Sequence, residues 1–480
     1  MGEAFKVLGD SEGARRRPVG LRVADARHHV HVIGPTGTGK STLLANLALG
    51  DIAAGRGTVV VDPRGDLIAD LLDRIPAERV GDVVVIDPAE GEAPVSLNVL
   101  ERTGSPHLVA EHVVGVFARV FAAWWGPRTD DVLRSACLTL LRHEGSTLAD
   151  VAPLLTEARF RQRFTTGIAD STLRGFWQWY EALTDAGRAQ AVAPLMNKLR
   201  AVMSKPFAVD LFGSARSSFD MGDVLDGGVL LVRVPKGIVG DDTARLVGSL
   251  VVARVWQAAL ARAEAPERER RDCTLTLDEF QNFLNVPGSV EDVLAEARGY
   301  GLGLVLAHQH LAQLPDSLED AVSANARTKL WFGMSPEDAR VLVRHVEPAL
   351  SAHDLARTGA RRVVARLVLR GDDAPPCTVS TRPLPPPTGG RAEAVRAASR
   401  ERFGVSRERR REEALRRRSP GRAGRGEQSR ERCAPGCASP DASDCASGCV
   451  FDAQGVTSAD DRAEGRRAPA RRVPDSWGES

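Results

Sequence analysis

The 480 residues contain no apolar run of about eighteen or more, so no membrane-spanning helix is expected. Met1 to Arg17 is polar and charged, and no secretory signal is expected there. Seven cysteines are too scattered to suggest a disulfide framework. Cys137 and Cys273 stand in apolar surroundings and read as small core residues. The net charge of +1 excludes nucleic-acid binding driven by bulk charge; such binding would need a local patch or a pore built by several subunits. Lysine is scarce, six among 64 basic residues. No internal repeat is seen. The length suggests about three domains, and 43% hydrophobic residues are ample for their cores.

One of the six lysines closes the most informative run of the chain. Gly34, Pro35, Thr36, Gly37, Thr38, Gly39, Lys40 and Ser41 match G-x-x-x-x-G-K-[ST], the phosphate-binding P-loop. His29 to Ile33 reads as a strand before it, and Ser41 to Leu49, through Thr42, as a helix start after it. That is the context the motif needs. Glycines let backbone N–H groups wrap a polyphosphate, and the helix N-terminus adds partial positive charge. Lys40 would reach the β- and γ-phosphates of ATP, and Ser41 would ligate Mg²⁺.

From Val23 to about Leu100 the pattern is α/β. Thr58–Asp62 and Val83–Asp87 read as buried strands, with a helix over Leu67–Asp73 between them. From about Gly104 to Phe219 the strand pattern gives way to helical spacing. This segment carries Trp124, Trp125, Trp177 and Trp179, for which core packing is the preferred reading over base stacking. Strands resume at Gly228–Val234, Thr274–Leu277, Leu302–Ala307 and Lys329–Phe332, with a long helix from Asp241 to Ala263. A β-rich piece over Arg361–Leu369 is expected on the sheet edge.

Leu275 to Glu279 ends an apolar strand in two carboxylates, the Walker B arrangement. Asp278 would hold Mg²⁺ and Glu279 would polarise the attacking water. Gln309, at the tip of a later strand, is expected to sense the γ-phosphate or orient water. His308 and His310 beside it read more readily as satisfied loop histidines. Asp62 and Asp66 either line the same edge or serve an ordinary turn.

The order of these segments is specific. After the P-loop come Val61-Asp62-Pro63-Arg64-Gly65-Asp66-Leu67, Ser96-Leu97-Asn98-Val99-Leu100, a helical insertion and Leu277-Asp278-Glu279-Phe280-Gln281. Ala297–Leu302, Ala307-His308-Gln309 and Asn325 through Ala339 follow. Over about Val23 to Arg382 the chain resembles the HerA/FtsK superfamily of DNA-pumping ATPases, most of all the type IV secretion coupling proteins of the TraG/TraD kind. The resemblance implies a RecA-like α/β core with an inserted all-α domain, a hexamer, ATP with Mg²⁺, and DNA passed through a central pore. By the same resemblance Lys40, Ser41, Asp278, Glu279 and Gln309 take the roles given above.

Residues 1–103 and 220–382 are expected to form the RecA-like core, 104–219 the all-α insertion, and 383–480 a linker and a mostly disordered charged tail. A ring ATPase needs an arginine from the neighbouring subunit. Arg298, Arg327 and Arg340 are candidates, and the sequence does not choose among them. Coupling proteins usually begin with a membrane anchor and HerA proteins with a β-barrel; neither is expected in the 33 residues before Gly34. A cytoplasmic protein is expected, reaching the inner face of the membrane only through a partner.

The leading expectation is an ATP-hydrolysing DNA translocase for conjugative or type IV secretion-like transfer, with a relaxosome or secretion channel as partner. A HerA-like repair or defence motor paired with a nuclease, or a nucleotide-gated cargo platform, are the alternatives. In the tail, Cys433, Cys437, Cys445 and Cys449 have spacing permissible for zinc but no apolar scaffold, and read as incidental thiols. Arg407 to Arg430 offers phosphate attraction weakened by interleaved glutamates.

Overall fold

A computed structural model describes residues 4–12, 15–102, 104–285 and 288–418. The expectations for the stretch from Ser419 onward, its four cysteines included, lie outside the described residues.

Among these, thirteen strands are formed: β1 (Phe5–Ser11), β2 (Pro18–Arg22), β3 (Val30–Ile33), β4 (Gly57–Asp62), β5 (Val83–Ile86), β6 (Val229–Arg233), β7 (Cys273–Asp278), β8 (Leu302–His308), β9 (Thr328–Trp331), β10 (Arg362–Arg366), β11 (Val368–Leu369), β12 (Asp372–Asp373) and β13 (Cys377–Thr381). β11 and β12 form a small ribbon. The other eleven make one sheet in the order β2-β1-β13-β10-β9-β3-β8-β7-β4-β6-β5. From β9 to β5 every neighbouring pair is parallel.

The parallel strands are apolar on both sides because both sides are covered. In β4, Val59 and Val61 enter one core and Val60 the other. β5 and β6 alternate in the same way: Val84, Ile86, Leu230 and Val232 face one side, Val83, Val85, Val229 and Leu231 the opposite one. The helices Lys40–Ala53 and Asp66–Leu72 cover one face. The long helix Asp241–Ala261 and the helical segment cover the other. Asp241–Glu264 is the one described stretch long and apolar enough to cross a membrane, and most of it is buried in this core.

Between β5 and β6 the described secondary structure is helical, from Pro106–Val120 to Met221–Leu225. The Ser96-Leu97-Asn98 run is where the chain enters this segment, and it is stitched to the place where the chain leaves. Leu97 N donates to Leu211 O at 2.7 Å, Ser96 N to Ser218 Oγ at 2.9 Å and Asn98 N to Ser217 Oγ at 3.0 Å. The Asn98 amide adds bonds to Ser146 O and Ala215 O. The helical segment is therefore held at a narrow neck of backbone polar groups that would otherwise be buried unpaired.

Core packing holds for Trp177, which is buried and donates to Thr139 Oγ1 at 2.8 Å, and in part for Trp125. It does not hold for Trp124, which is 80% exposed, nor fully for Trp179 at 40%. A run of small and aromatic residues ending in a turn carries no helical period, so the sequence could not say which tryptophan faces in. Cys137 and Cys273 are buried, and burial pushes both thiols up to about 12.

The segments of β1 and β2 and that of β13 carried no strand signal. β1 and β2 precede the P-loop and extend the sheet antiparallel through β13 and β10. Lys6 on β1 is tied to Asp51 at 2.5 Å, and Thr274 Oγ1 donates to the same carboxylate at 2.7 Å. The Pro383–Pro387 stretch, expected as a linker, is seated on the core: Arg74 Nε donates to Pro385 O at 2.7 Å and Leu384 packs on the core. Within the 383–480 stretch expected as a linker and mostly disordered tail, two helices form, Arg391–Phe403 and Arg407–Arg418. Arg410 in the second is buried against Pro94 O and Asp210 O, so part of that basic run faces protein.

Candidate nucleotide site

Four connections meet at the C-terminal edge of the parallel strands: the P-loop after β3, the Asp62–Ile68 turn after β4, the Asp278-Glu279 pair at the end of β7, and Gln309 after β8. β8 lies between β3 and β7. The strand order, invisible in the sequence, thus puts Gln309 between the P-loop and the two carboxylates.

The P-loop has the backbone its glycines allow. Gly39 stands at φ 108°, where a side chain would be strained. At Gly34 a Cβ would come within 2.8 Å of the Phe332 Cβ and 2.9 Å of the Thr38 hydroxyl. The helix Lys40–Ala53 starts at Gly39 with no side chain capping it. Its first N–H groups are therefore available to an anion, and the helix dipole favours one.

Lys40 is buried and donates to Asp278 Oδ1, with Glu279 Oε1 3.9 Å away. Three further side chains close on Glu279. Gln309 Nε2 donates to its Oε1 at 2.6 Å, Arg64 Nη2 to the same oxygen at 3.1 Å, and Gln281 Nε2 to Oε2 at 3.1 Å. Thr36 of the P-loop completes a ring: its hydroxyl donates to Gln309 Oε1 at 3.2 Å and accepts from Arg64 Nη1 at 3.4 Å. Burial raises the Glu279 carboxyl, but the Lys40 charge, the two glutamine amides and the Arg64 charge outweigh it and hold the carboxyl below its ordinary value. Glu279 has a left-handed backbone, φ 54°. Strain of this kind in a non-glycine residue costs about 1–3 kcal/mol and is held only by the surroundings. Here Asn282 Nδ2 donates to the Glu279 carbonyl at 2.9 Å.

The donor set suits a nucleotide with Mg²⁺. Ser41 sits beside Lys40 on the first helical turn, and Asp278 ends β7. Among the described residues no group of three or more His, Cys, Asp or Glu side chains could hold a metal by itself. Mg²⁺ takes one or two protein oxygens and completes its shell with phosphates and water, and Ser41 and Asp278 are oxygen donors of that kind.

His308 is buried and paired, a role with no signature in the chain around it. His31 on β3 lies 2.8 Å away, Nε2 to Nε2, and His308 Nδ1 meets His310 O at 3.1 Å. Donation from His308 Nδ1 to that carbonyl leaves its Nε2 as acceptor, so His31 donates across the pair. Burial keeps both neutral, pushing His308 down to about 4 and His31 well below its usual value. Asp62 turns into its own loop: it accepts from Arg64 N at 2.8 Å and Ile68 N at 3.2 Å, the turn role. Arg64 is, in the sequence, one residue of the Asp62–Leu67 run with no role of its own; its place in the ring becomes visible once β4 and β7 are neighbours.

Two of the three candidate arginines lie at the other edge of the sheet. Arg298 precedes β8 and is exposed beside His28, at 3.4 Å. Arg327 precedes β9 and is held by Asp373 and Gly371 O, both at 2.9 Å. Arg340 follows β9, on the P-loop side, and is largely exposed with Glu337 at 4.0 Å.

The sequence from 18 to 346 matches the model of the type IV secretion-system coupling protein DNA-binding domain. The chain belongs to that coupling-protein family. Solved structures agree in fold. A plasmid coupling protein, TrwB, in complex with ADP and Mg²⁺ is 17% identical, with TM-score 0.57, over 82% of this chain and 98% of that one. A sulphate-bound form of the bacterial conjugative coupling protein TrwB gives 18%, TM-score 0.57, 85% and 92%. VirB4 of Thermoanaerobacter pseudethanolicus gives 15%, TM-score 0.53, 79% and 96%. No match was found among curated proteins. The coupling-protein fold is thus the RecA-like α/β core of the HerA/FtsK class, and in this member the P-loop, β4, β7 and β8 connections converge on Glu279.

Proposed function

We propose that this coupling-protein chain is an ATP-hydrolysing DNA translocase that works as a homo-oligomer, a hexameric ring, in conjugative or type IV secretion-like transfer. The observation that carries the hydrolase reading is the convergence of Lys40, Arg64 and Gln309 on Glu279 beside an uncapped P-loop helix. A binding module needs the loop alone; a held carboxylate beside it is the equipment for activating water.

In this reading ATP lies along Gly34 to Thr42, and Mg²⁺ is held by Ser41 and Asp278. When bound, the metal neutralises phosphate charge. Lys40 leaves Asp278 for the β- and γ-phosphates. Glu279 orients the attacking water, with Gln309 fixing the carboxylate. DNA would pass through the ring, and the helical segment would meet the relaxosome or channel partner. Docking at the inner face of the membrane would come through such a partner.

The test is ATP hydrolysis by the purified chain with and without single- and double-stranded DNA. Turnover stimulated by DNA and lost in Lys40→Ala and Glu279→Gln is expected. Turnover indifferent to DNA would overturn the motor reading in favour of a cargo platform, and no nucleotide binding at all would overturn the ATPase reading itself.

A further inference from the structure

One oxygen of Glu279 is crowded. Its Oε1 accepts from Gln309 at 2.6 Å and from Arg64 at 3.1 Å, with Lys40 at 3.9 Å. A carboxylate oxygen engaged in this way is poorly placed to take a proton from water. One donor has to leave before Oε1 can do so. Lys40, 3.9 Å away, makes no hydrogen bond to this oxygen, and Gln309 is an uncharged amide that a phosphate charge does not draw away. Arg64 is the donor able to move: its side chain is 43% exposed and extends from a turn, not from the core.

The turn itself is rigid. Asp62 accepts from the backbone N–H of Arg64 and of Ile68. Gly65 stands at φ 97°, and a Cβ there would come within 2.5 Å of the Arg233 Nε, so the guanidinium of Arg233 packs closely on the turn. Arg233 donates to the buried Asp87 at 3.1 Å, and Arg396 holds the other oxygen of Asp87 at 2.8 Å. A fixed backbone with an exposed guanidinium is the construction of a switching side chain. The other hand of Arg64 is already at the P-loop, on the Thr36 hydroxyl.

We propose that Arg64 is a positioning arginine supplied by the site's own subunit, clamping Glu279 to Thr36 and Gln309 before nucleotide binds and moving to the terminal phosphate of a bound triphosphate. Glu279 is then released only when a triphosphate is present. A diphosphate has no terminal group to draw the guanidinium away, so Arg64 distinguishes the two. This rests on the ATPase reading above.

The experiment measures the dissociation constants of ADP and of a non-hydrolysable ATP analogue, each with Mg²⁺, and kcat for ATP, using the full chain, Arg64→Ala and Arg64→Lys. Arg64→Ala removes a charge-assisted bond to the terminal phosphate, so the triphosphate analogue binds about fivefold or more weakly while ADP affinity stays within about twofold. kcat falls about tenfold or more. Arg64→Lys keeps the charge without the fork and lies between. Equal weakening of both nucleotides, with a lowered unfolding midpoint, would overturn the proposal in favour of plain structural support. A wild-type ratio and rate in Arg64→Ala would overturn it outright. Failure of the wild-type chain to bind either nucleotide would instead remove the ATPase reading on which it rests.

Discussion

Gln309 donates its side-chain amide to Oε1 of Glu279 across 2.6 Å, linking the tip of β8 to the end of β7. The two residues are thirty positions apart in sequence and neighbours because β7 and β8 pair in parallel, Asp278 opposite Ala307. The bond fixes the glutamate without charge, so it survives any rearrangement of Lys40 or Arg64. Gln309→Ala is expected to lower kcat about a hundredfold while nucleotide affinity stays near wild type, in line with loss of one preorganised donor. Steady-state turnover with a parallel nucleotide-binding titration checks it, and unchanged turnover would sink the role.

Arg298 and Arg340 are exposed and carry at most weak contacts, whereas Arg327 is committed to Asp373 and Gly371. An arginine that serves a neighbouring subunit has to be free to leave its own. One of Arg298→Ala and Arg340→Ala is expected to lose hydrolysis and to regain part of it when mixed with Lys40→Ala, because each protein then supplies the part the other lacks. Arg327→Ala is expected to keep turnover. Absence of complementation in both mixtures would refute supply in trans by either residue.

Stability is expected to fall in mild acid. Burial pushes His29, His112, His308 and His345 down to about 4, and His31 well below its ordinary value. In the unfolded chain these imidazoles take a proton near pH 6.5; in the fold they refuse it until about pH 4. The unfolded state therefore binds more protons between these limits, and acid favours it. Each group contributes up to about 1.4 kcal/mol per pH unit in that window and nothing above it. Urea unfolding at pH 8.5, 7.5 and 5.5 should give nearly equal midpoints for the first two and a lower one for the third. A flat profile would mean the histidines stay accessible to water.

The helix Arg391–Phe403 closes the β5 edge of the sheet. Ser399 Oγ accepts from the N–H of Val85 at 3.0 Å, and Arg396 bridges Asp87 and Glu90 at 2.8 and 2.7 Å. Asp87 is fully buried. Arg396→Ala leaves that carboxylate with Arg233 and the Ala89 N–H, both on Oδ1, and its other oxygen without the arginine; it should cost about 1–3 kcal/mol. Ser399→Ala strands a backbone donor and should cost about 1 kcal/mol. Urea denaturation reads both. Unchanged midpoints would show that the helix merely lies on the sheet.

Much of the site was legible in advance because its chemistry is local. A phosphate cradle needs glycines and a lysine at fixed offsets, and a strand ending in two acids follows from its own apolar pattern. Phe5–Ser11 carried no such sign, because a strand paired antiparallel on both sides, between β2 and β13, need not be apolar throughout. Arg64 and His31 were readable as residues and not as partners.

The sequence by itself determined the α/β alternation, the helical insertion, the P-loop and the acidic strand end, since each is set by periodicity or by spacing within a few residues. Tertiary structure alone decided which strands are neighbours. That order brings Arg64 and Gln309 to one oxygen atom of Glu279, because side-chain hydrogen bonds act over about 3 Å and are blind to separation along the chain.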